Sequence, residues 1–247
     1  NKIYKILMIL TAHQPTYLPW LGLFHKIALA DKFCFFDDVQ YQPKDWNNRN
    51  KIKFSNGKEN WLSVPVKRTN YLEKSYLDIE INNEVKWQKK HFKSIVSNYS
   101  KSEYYDLYID EINQFYNKDW ELLVDLNYEM LIFFLKKLGI TTQVIRMRDF
   151  EFKGKKSDLV LNMCLQLEAD TYIFGALGKN YAKKDIFLEK NVSLFFQNYV
   201  HPSYKQLHGH FIENLSIIDL LLNCGPNSLS ILMTENINKE DLIKHIN

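Results

Sequence analysis

His13-Gln14-Pro15 follows directly on an apolar run at 6–12, and Asp37-Asp38 follows on a second at 33–36. A histidine at the end of a buried strand is placed to act as a general base near neutral pH. The alternative for His13 is a ring that only hydrogen-bonds its own turn. Asp37 and Asp38 read as groups that hold a ribose, orient His13 or bind a metal with a diphosphate, and equally as a capping pair that fixes the loop. Arg49 stands in Trp46-Asn47-Asn48-Arg49-Asn50, one guanidinium among amides, while Arg146 and Arg148 alternate and so share a face. Guanidinium matches phosphate or carboxylate geometry. Gly175-x-x-Gly178 lets the backbone approach a ligand closely. Gln197, Tyr199, His201, Tyr204, Gln206 and His208 form a late set of hydrogen-bonding side chains, with His201 or His208 as a second acid/base group. His208 and His210 alternate, but no nearby Cys or acidic ligand completes a metal site, so none is expected.

Several elements must position these residues. The 6–12 run reads as a strand, 18–30 as a helix with Pro19 in its first turn, and 33–36 as a second strand. Strand, polar turn, helix, strand predicts a right-handed βαβ unit, with both polar turns beyond the strand carboxyl ends. Open α/β sheets bind their ligands at that edge. Short runs at 51–54, 61–66 and 77–81, with Asn56-Gly57 as a hairpin turn, predict an antiparallel excursion over 51–83. Helical patterns at 85–98, 102–116 and 120–138 predict an insertion over 84–139, with Asp119 as an N-cap and Gly139 as a stop. Strands at 142–146, 171–174 and 192–196 resume the parallel pattern. A helix at 157–168, capped by Ser157 or Asp158, and another at 216–223 accompany them. The expectation is one α/β domain over 1–247 with a mostly parallel, Rossmann-like sheet. Its strand ends would bring His13, Asp37-Asp38, Arg146 and Arg148, 175–178 and 197–201 to one crevice.

The segment His13-Gln14-Pro15-x-Tyr17-Leu18-Pro19-Trp20-x-Gly22 continues into Lys26-Ile27, Ala30-Asp31, Asp37-Asp38-Val39-Gln40 and Trp46-x-Asn48-Arg49-Asn50. Together these resemble the signature of the WbqC-like family, and the likeness extends more sparsely to about residue 223. Members of that family occur in bacterial pathways for O-antigen and other surface polysaccharides. The resemblance therefore implies a lipopolysaccharide or related glycan pathway, and a nucleotide-linked sugar as partner. It carries no mechanism of its own. Gln14, Tyr17, Trp20, Gln40, Trp46, Asn48 and Asn50 join the binding candidates through it. Tyr17 and Trp20 either stack on a ligand ring or pack under the first helix. The first turn also faintly resembles that of adenylate-forming enzymes such as pantothenate synthetase, although the spacing of His13, Gly22 and His25 does not reproduce their paired histidines.

Bulk properties narrow the classes. At 247 residues, 46% hydrophobic and 25% charged, the chain can bury a large core. A net charge of +3 gives no reason to expect nucleic acid. Cys34, Cys164 and Cys224 are scattered in apolar surroundings and read as buried thiols of a reducing compartment. No apolar run reaches the length of a membrane span, and 1–12 is too short for a secretory signal, which makes the cytoplasm the expected location. No Gly-x-Ser-x-Gly elbow or phosphate-binding Gly-Lys-Ser/Thr loop is present, and Cys34 inside an apolar strand makes a poor nucleophile. The expected activity is transfer of an acyl or formyl group to an amino sugar, with His13 as base and Asp38 orienting it or the sugar. ATP-dependent ligation or nucleotidyl transfer, and a non-catalytic binding role in a glycan-assembly complex, are the alternatives. The chemical donor is open, and a homo-oligomer is compatible with all three.

Overall fold

The structure, a computed structural model, describes residues 7–246, so residue 6 of the first apolar run lies outside it. The chain runs β1 (Ile9–His13), α1 (Leu21–Ala28), β2 (Lys32–Phe35), β3 (Arg49–Lys53) and β4 (Glu59–Ser63). Then come α2 (Trp87–Tyr99), α3 (Tyr105–Asn117), α4 (Leu123–Leu138), β5 (Gln143–Arg146) and α5 (Ser157–Gln166). It ends with β6 (Thr171–Phe174), α6 (Lys184–Leu188), β7 (Ser193–Phe196), α7 (Ile217–Cys224), α8 (Ser228–Met233) and α9 (Lys239–Ile246).

Five strands form one sheet in the order β5-β2-β1-β6-β7, and every neighbouring pair is parallel. Their short apolar sequences suit burial on both faces. Phe33 and Phe35 of β2 join a core shared with α1 and α4, while Cys34 between them packs with Met163 and Cys164 of α5 on the other face. The chain builds outward from β1 through β2 to β5, then crosses back to place β6 and β7 on the far side of β1. The reversal leaves a crevice between the carboxyl ends of β1 and β6, the switch point where such sheets take ligands.

Local hydrogen bonding moves several boundaries. α1 begins at Leu21, because Trp20 bridges to Ser216 and the Ile217 N–H donates to Pro19 O at 2.8 Å. Pro19 therefore stays outside the helix it was expected to open. β3 and β4 pair antiparallel across a turn in which Gly57 has φ +76°. The expected strand at 77–81 is instead a 3-10 turn, Tyr76–Asp78, capped by Ser75 Oγ, which accepts the Leu77 N–H. Beyond it, Ile81 makes only an isolated bridge to Val66. The Ile81 N–H donates to Glu121 O, and Glu80 bridges to Leu122. These contacts hold 121–122 extended, so Leu122 rather than Asp119 caps α4. Gly139, at φ +72°, closes that helix as anticipated. Ser157 is already inside α5, donating to Tyr181 O at 2.8 Å, and Lys156 occupies the cap.

The helical insertion is built into the core: Phe24 of α1 meets Phe134 of α4 edge-on at 6.2 Å. The Tyr17 hydroxyl bonds His91 Nδ1 at 2.8 Å and the Tyr116 hydroxyl at 2.9 Å. Among the described residues no helix is long and apolar enough to cross a membrane.

Candidate functional site

A cavity of about 920 Å³ opens at the carboxyl edge of the sheet, over the switch point. His13 and Gln14 reach it from the end of β1, Gly22 and Lys26 from α1, residues 175–178 from the turn after β6, and Gln197 to Tyr199 from the turn after β7. The turn after β2 contributes Phe36 and Val39. The turn after β5, one strand further out, does not reach it.

The His13 ring is partly buried, and its Nδ1 lies 2.8 Å from Gln14 O. A carbonyl only accepts, so Nδ1 carries the hydrogen and Nε2 holds the lone pair of the neutral ring. Trp20, also in the wall, meets the ring edge-on at 5.3 Å and fixes its plane. Burial, then the nearby Lys26 charge, pushes the His13 pKa down to about 3, against a partial upward pull from Gln14 O. The ring is therefore a neutral acceptor throughout the physiological range.

Lys26 is the residue that sequence reasoning left without a role. It is 5% exposed, and its ammonium donates to Ala12 O at 3.0 Å. Burial lowers its pKa to about 8. A signal was present: Gly22, His25 and Lys26 form an i, i+3, i+4 stripe in a short, otherwise apolar helix leaving the histidine turn. His25 Nε2 donates to Ile237 O at 2.9 Å, which leaves Nδ1 to accept from Gln197 Nε2 at 2.8 Å. The same Gln197 amide donates to Gly22 O at 2.8 Å. With its amide nitrogen committed twice, Gln197 is held rigidly in the cavity wall.

Other expected site residues are divided. Trp20, Gly175, Gly178, Gln197 and Tyr199 line the cavity with His13 and Gln14. Gly178 is required for packing, since a Cβ there would stand 2.5 Å from Phe174 Cβ, whereas Gly175 has open space. Asp37 is fully buried and turned away: its carboxylate accepts from Arg146 Nε at 2.7 Å, Arg148 Nε at 2.8 Å and the Arg148 N–H at 3.0 Å. The three residues answer one another rather than a diphosphate. Asp38 is exposed and absent from the lining, so it does not orient His13. Arg49 donates to Lys44 O and lies 4.5 Å over Trp61. Asn48 and Asn50 bond the backbone at Val64 O and Leu18 O, because β3 begins at Arg49 and draws this polar cluster into the hairpin. Gln40 donates to Leu72 O. Trp46 packs between Trp20 and Trp61 at 5.9 and 5.3 Å. Tyr17 is committed to the insertion core.

Late in the chain, the Tyr204 hydroxyl donates to Asp219 at 2.9 Å, and the Tyr99 hydroxyl to the same carboxylate at 2.8 Å. This buried centre lies apart from the cavity lining. His201 donates to Pro202 O, and burial lowers its pKa. His208 Nε2 donates to Asn98 O at 2.7 Å at the end of α2, so the expected second acid/base histidines are not part of the cavity wall. Among the described residues no three His, Cys, Asp or Glu side chains converge as a metal cluster.

Comparison with known proteins agrees with the motif around His13. An uncharacterized protein of Mycobacterium tuberculosis, Rv1507c, is 32% identical over 217 residues, covering 87% of this chain and 93% of that one. No solved structure matches. The match to the WbqC-like protein family spans residues 14–231, from the turn after β1 to α8, and by that extent the chain belongs to the WbqC-like family.

Proposed function

We propose that the protein is a transferase of bacterial surface-polysaccharide assembly, moving an acyl or formyl group onto the amine of a nucleotide-linked sugar. The observation that carries this reading is His13, locked by Gln14 O so that a neutral Nε2 is the ring's acceptor in a cavity of about 920 Å³. That volume is in the range of metabolite sites. The lining contains no Ser, Thr, Cys, Asp or Glu. In this reading transfer runs directly from donor to acceptor. The amine attacks the acyl carbon, the nitrogen–carbon bond forms, and the bond to the leaving group breaks. The amine proton passes to His13 Nε2 and on to the leaving group. With its pKa held at about 3 the free ring is a weak base, so in this reading bound substrate raises the His13 pKa toward the operating pH before the proton moves.

A thermal-shift panel of amino-sugar nucleotides and acyl donors identifies the pair, because ligand well above its dissociation constant raises the melting temperature. With that pair, His13→Ala is expected to lower turnover about 10²–10⁴-fold while the sugar nucleotide still binds. Turnover close to wild type removes His13 from the chemistry. Pyrophosphate release with ATP consumption would replace acyl transfer by ligation.

A further inference from the structure

Lys26 is a buried cation whose charge is unanswered. Of the three donors of its ammonium, one is used, by Ala12 O at 3.0 Å, and among the described residues no carboxylate pairs with it. The cavity it lines has a second lysine, Lys156, and no acidic side chain at all. Other buried charged groups use more of their valence: Asp37 has two arginines, the Asp219 carboxylate two tyrosine hydroxyls, and the Lys53 ammonium donates to both Gln206 Oε1 and His210 O. A charge held out of water without a counter-ion is costly, and a fold that retains one gains when an anion arrives. The guanidinium groups that would otherwise grip a diphosphate, Arg49, Arg146 and Arg148, do not line the cavity and find their partners outside it. The cavity is also large enough for a phosphorylated ligand with a sugar attached.

We propose that the cavity's ligand carries a phosphoryl oxyanion that seats on the Lys26 ammonium, with His13 Nε2 left free to take a proton beside it. This assignment rests on the reading of the cavity as a substrate site. A compact ammonium serves phosphate as a point charge, and the burial that lowers the Lys26 pKa to about 8 is a cost that a bound anion would offset. Bound anion would restore full protonation.

The test uses the whole protein, with inorganic pyrophosphate and malonate as probes, read by calorimetry and by melting temperature. Pyrophosphate is expected to bind at pH 7 and raise the melting temperature, Lys26→Met to lose at least tenfold in affinity, and malonate to bind more weakly. A second measurement needs no variant. As Lys26 loses its proton, wild-type affinity should fall about tenfold between pH 7 and pH 9, although pyrophosphate itself gains charge over that range. Equal pyrophosphate affinity for wild type and Lys26→Met, or no weakening toward pH 9, overturns the seat. Malonate binding as tightly as pyrophosphate overturns the phosphoryl class. Lys26-dependent pyrophosphate binding without acyl transfer to any amino-sugar nucleotide would retire the transferase reading and leave the seat standing.

Discussion

Two groups of buried charge sit past the carboxyl ends of adjacent strands, and they are opposites. Beyond β2 and β5, Asp37 accepts three donors from Arg146 and Arg148, and Asp125 of α4 lies 3.7 Å from both guanidinium groups. Beyond β1, His13 and Lys26 face a cavity without a carboxylate, and Lys26 holds one carbonyl. The first group ties the edge strand β5 to β2 and has no valence left for a ligand on the Asp37 carboxylate. The second spends stability to keep groups available. Charge density alone does not mark a site; unfinished pairing beside a cavity does.

The largest effect expected from this contrast is on stability. Asp37→Ala leaves two guanidinium groups without their carboxylate, and breaking a buried pair from one side costs about 3–5 kcal/mol. Urea unfolding should register that loss. His13→Ala removes one hydrogen bond and a ring contact, and should cost only about 1 kcal/mol while nearly abolishing turnover. Equal destabilisation by the two variants would erase the distinction between a closed and an open cluster.

Acid sensitivity sharpens the same comparison. Burial holds His13 down to about 3 and His91 to about 4, and also lowers His25 and His201 from the ordinary 6.5. Between those folded values and 6.5 the unfolded chain binds more protons, so stability rises with pH across that window. The contribution is complete above 6.5 and is lost as the pH falls. The urea midpoint should therefore drop from pH 7 to pH 4.5, with a shallower slope in His13→Ala. A flat midpoint over that range would mean that these rings take up protons without opposing the fold.

How much of this was legible in the sequence depends on distance along the chain. The parallel sheet and the His13 turn follow from local patterns: an apolar run, a polar turn, a helix stripe. The crevice was legible only in part: the alternation of strands and helices puts the polar turns on one edge, but not the strand order, which brings residues 13, 175–178 and 197–199 together and leaves 146 and 148 outside. Asp37 with Arg146 and Arg148 did not. Their hydrogen bonds span 109 and 111 residues, and no spacing rule says that two candidate anion ligands will consume a candidate acid. The 77–81 run has strand character but finds no partner strand, since its donor at Ile81 goes to Glu121 O. Lys26 was overlooked because a lysine in a short helix normally marks a solvated face, yet residues 21–27 of α1 are all buried. The short α6, α8 and α9 lack enough turns for periodicity to stand out.

The smallest effect expected probes the cavity wall. A Cβ on Gly22 would stand 3.0 Å from Tyr199 Cδ1 and 3.2 Å from Trp20 Nε1, so both rings must give by a few tenths of an ångström. Against that strain, Ala gains about 1 kcal/mol in helix propensity over Gly within α1. The two contributions oppose each other, and Gly22→Ala should leave the unfolding midpoint within about 1 kcal/mol of wild type. Turnover should respond differently. The added methyl presses on Trp20, which holds the plane of His13, and on Tyr199 beside it in the lining, so KM rises several-fold while kcat changes less. A variant with wild-type KM and a lower midpoint would place Gly22 in the packing of the closed core and remove it from the wall of the open cluster.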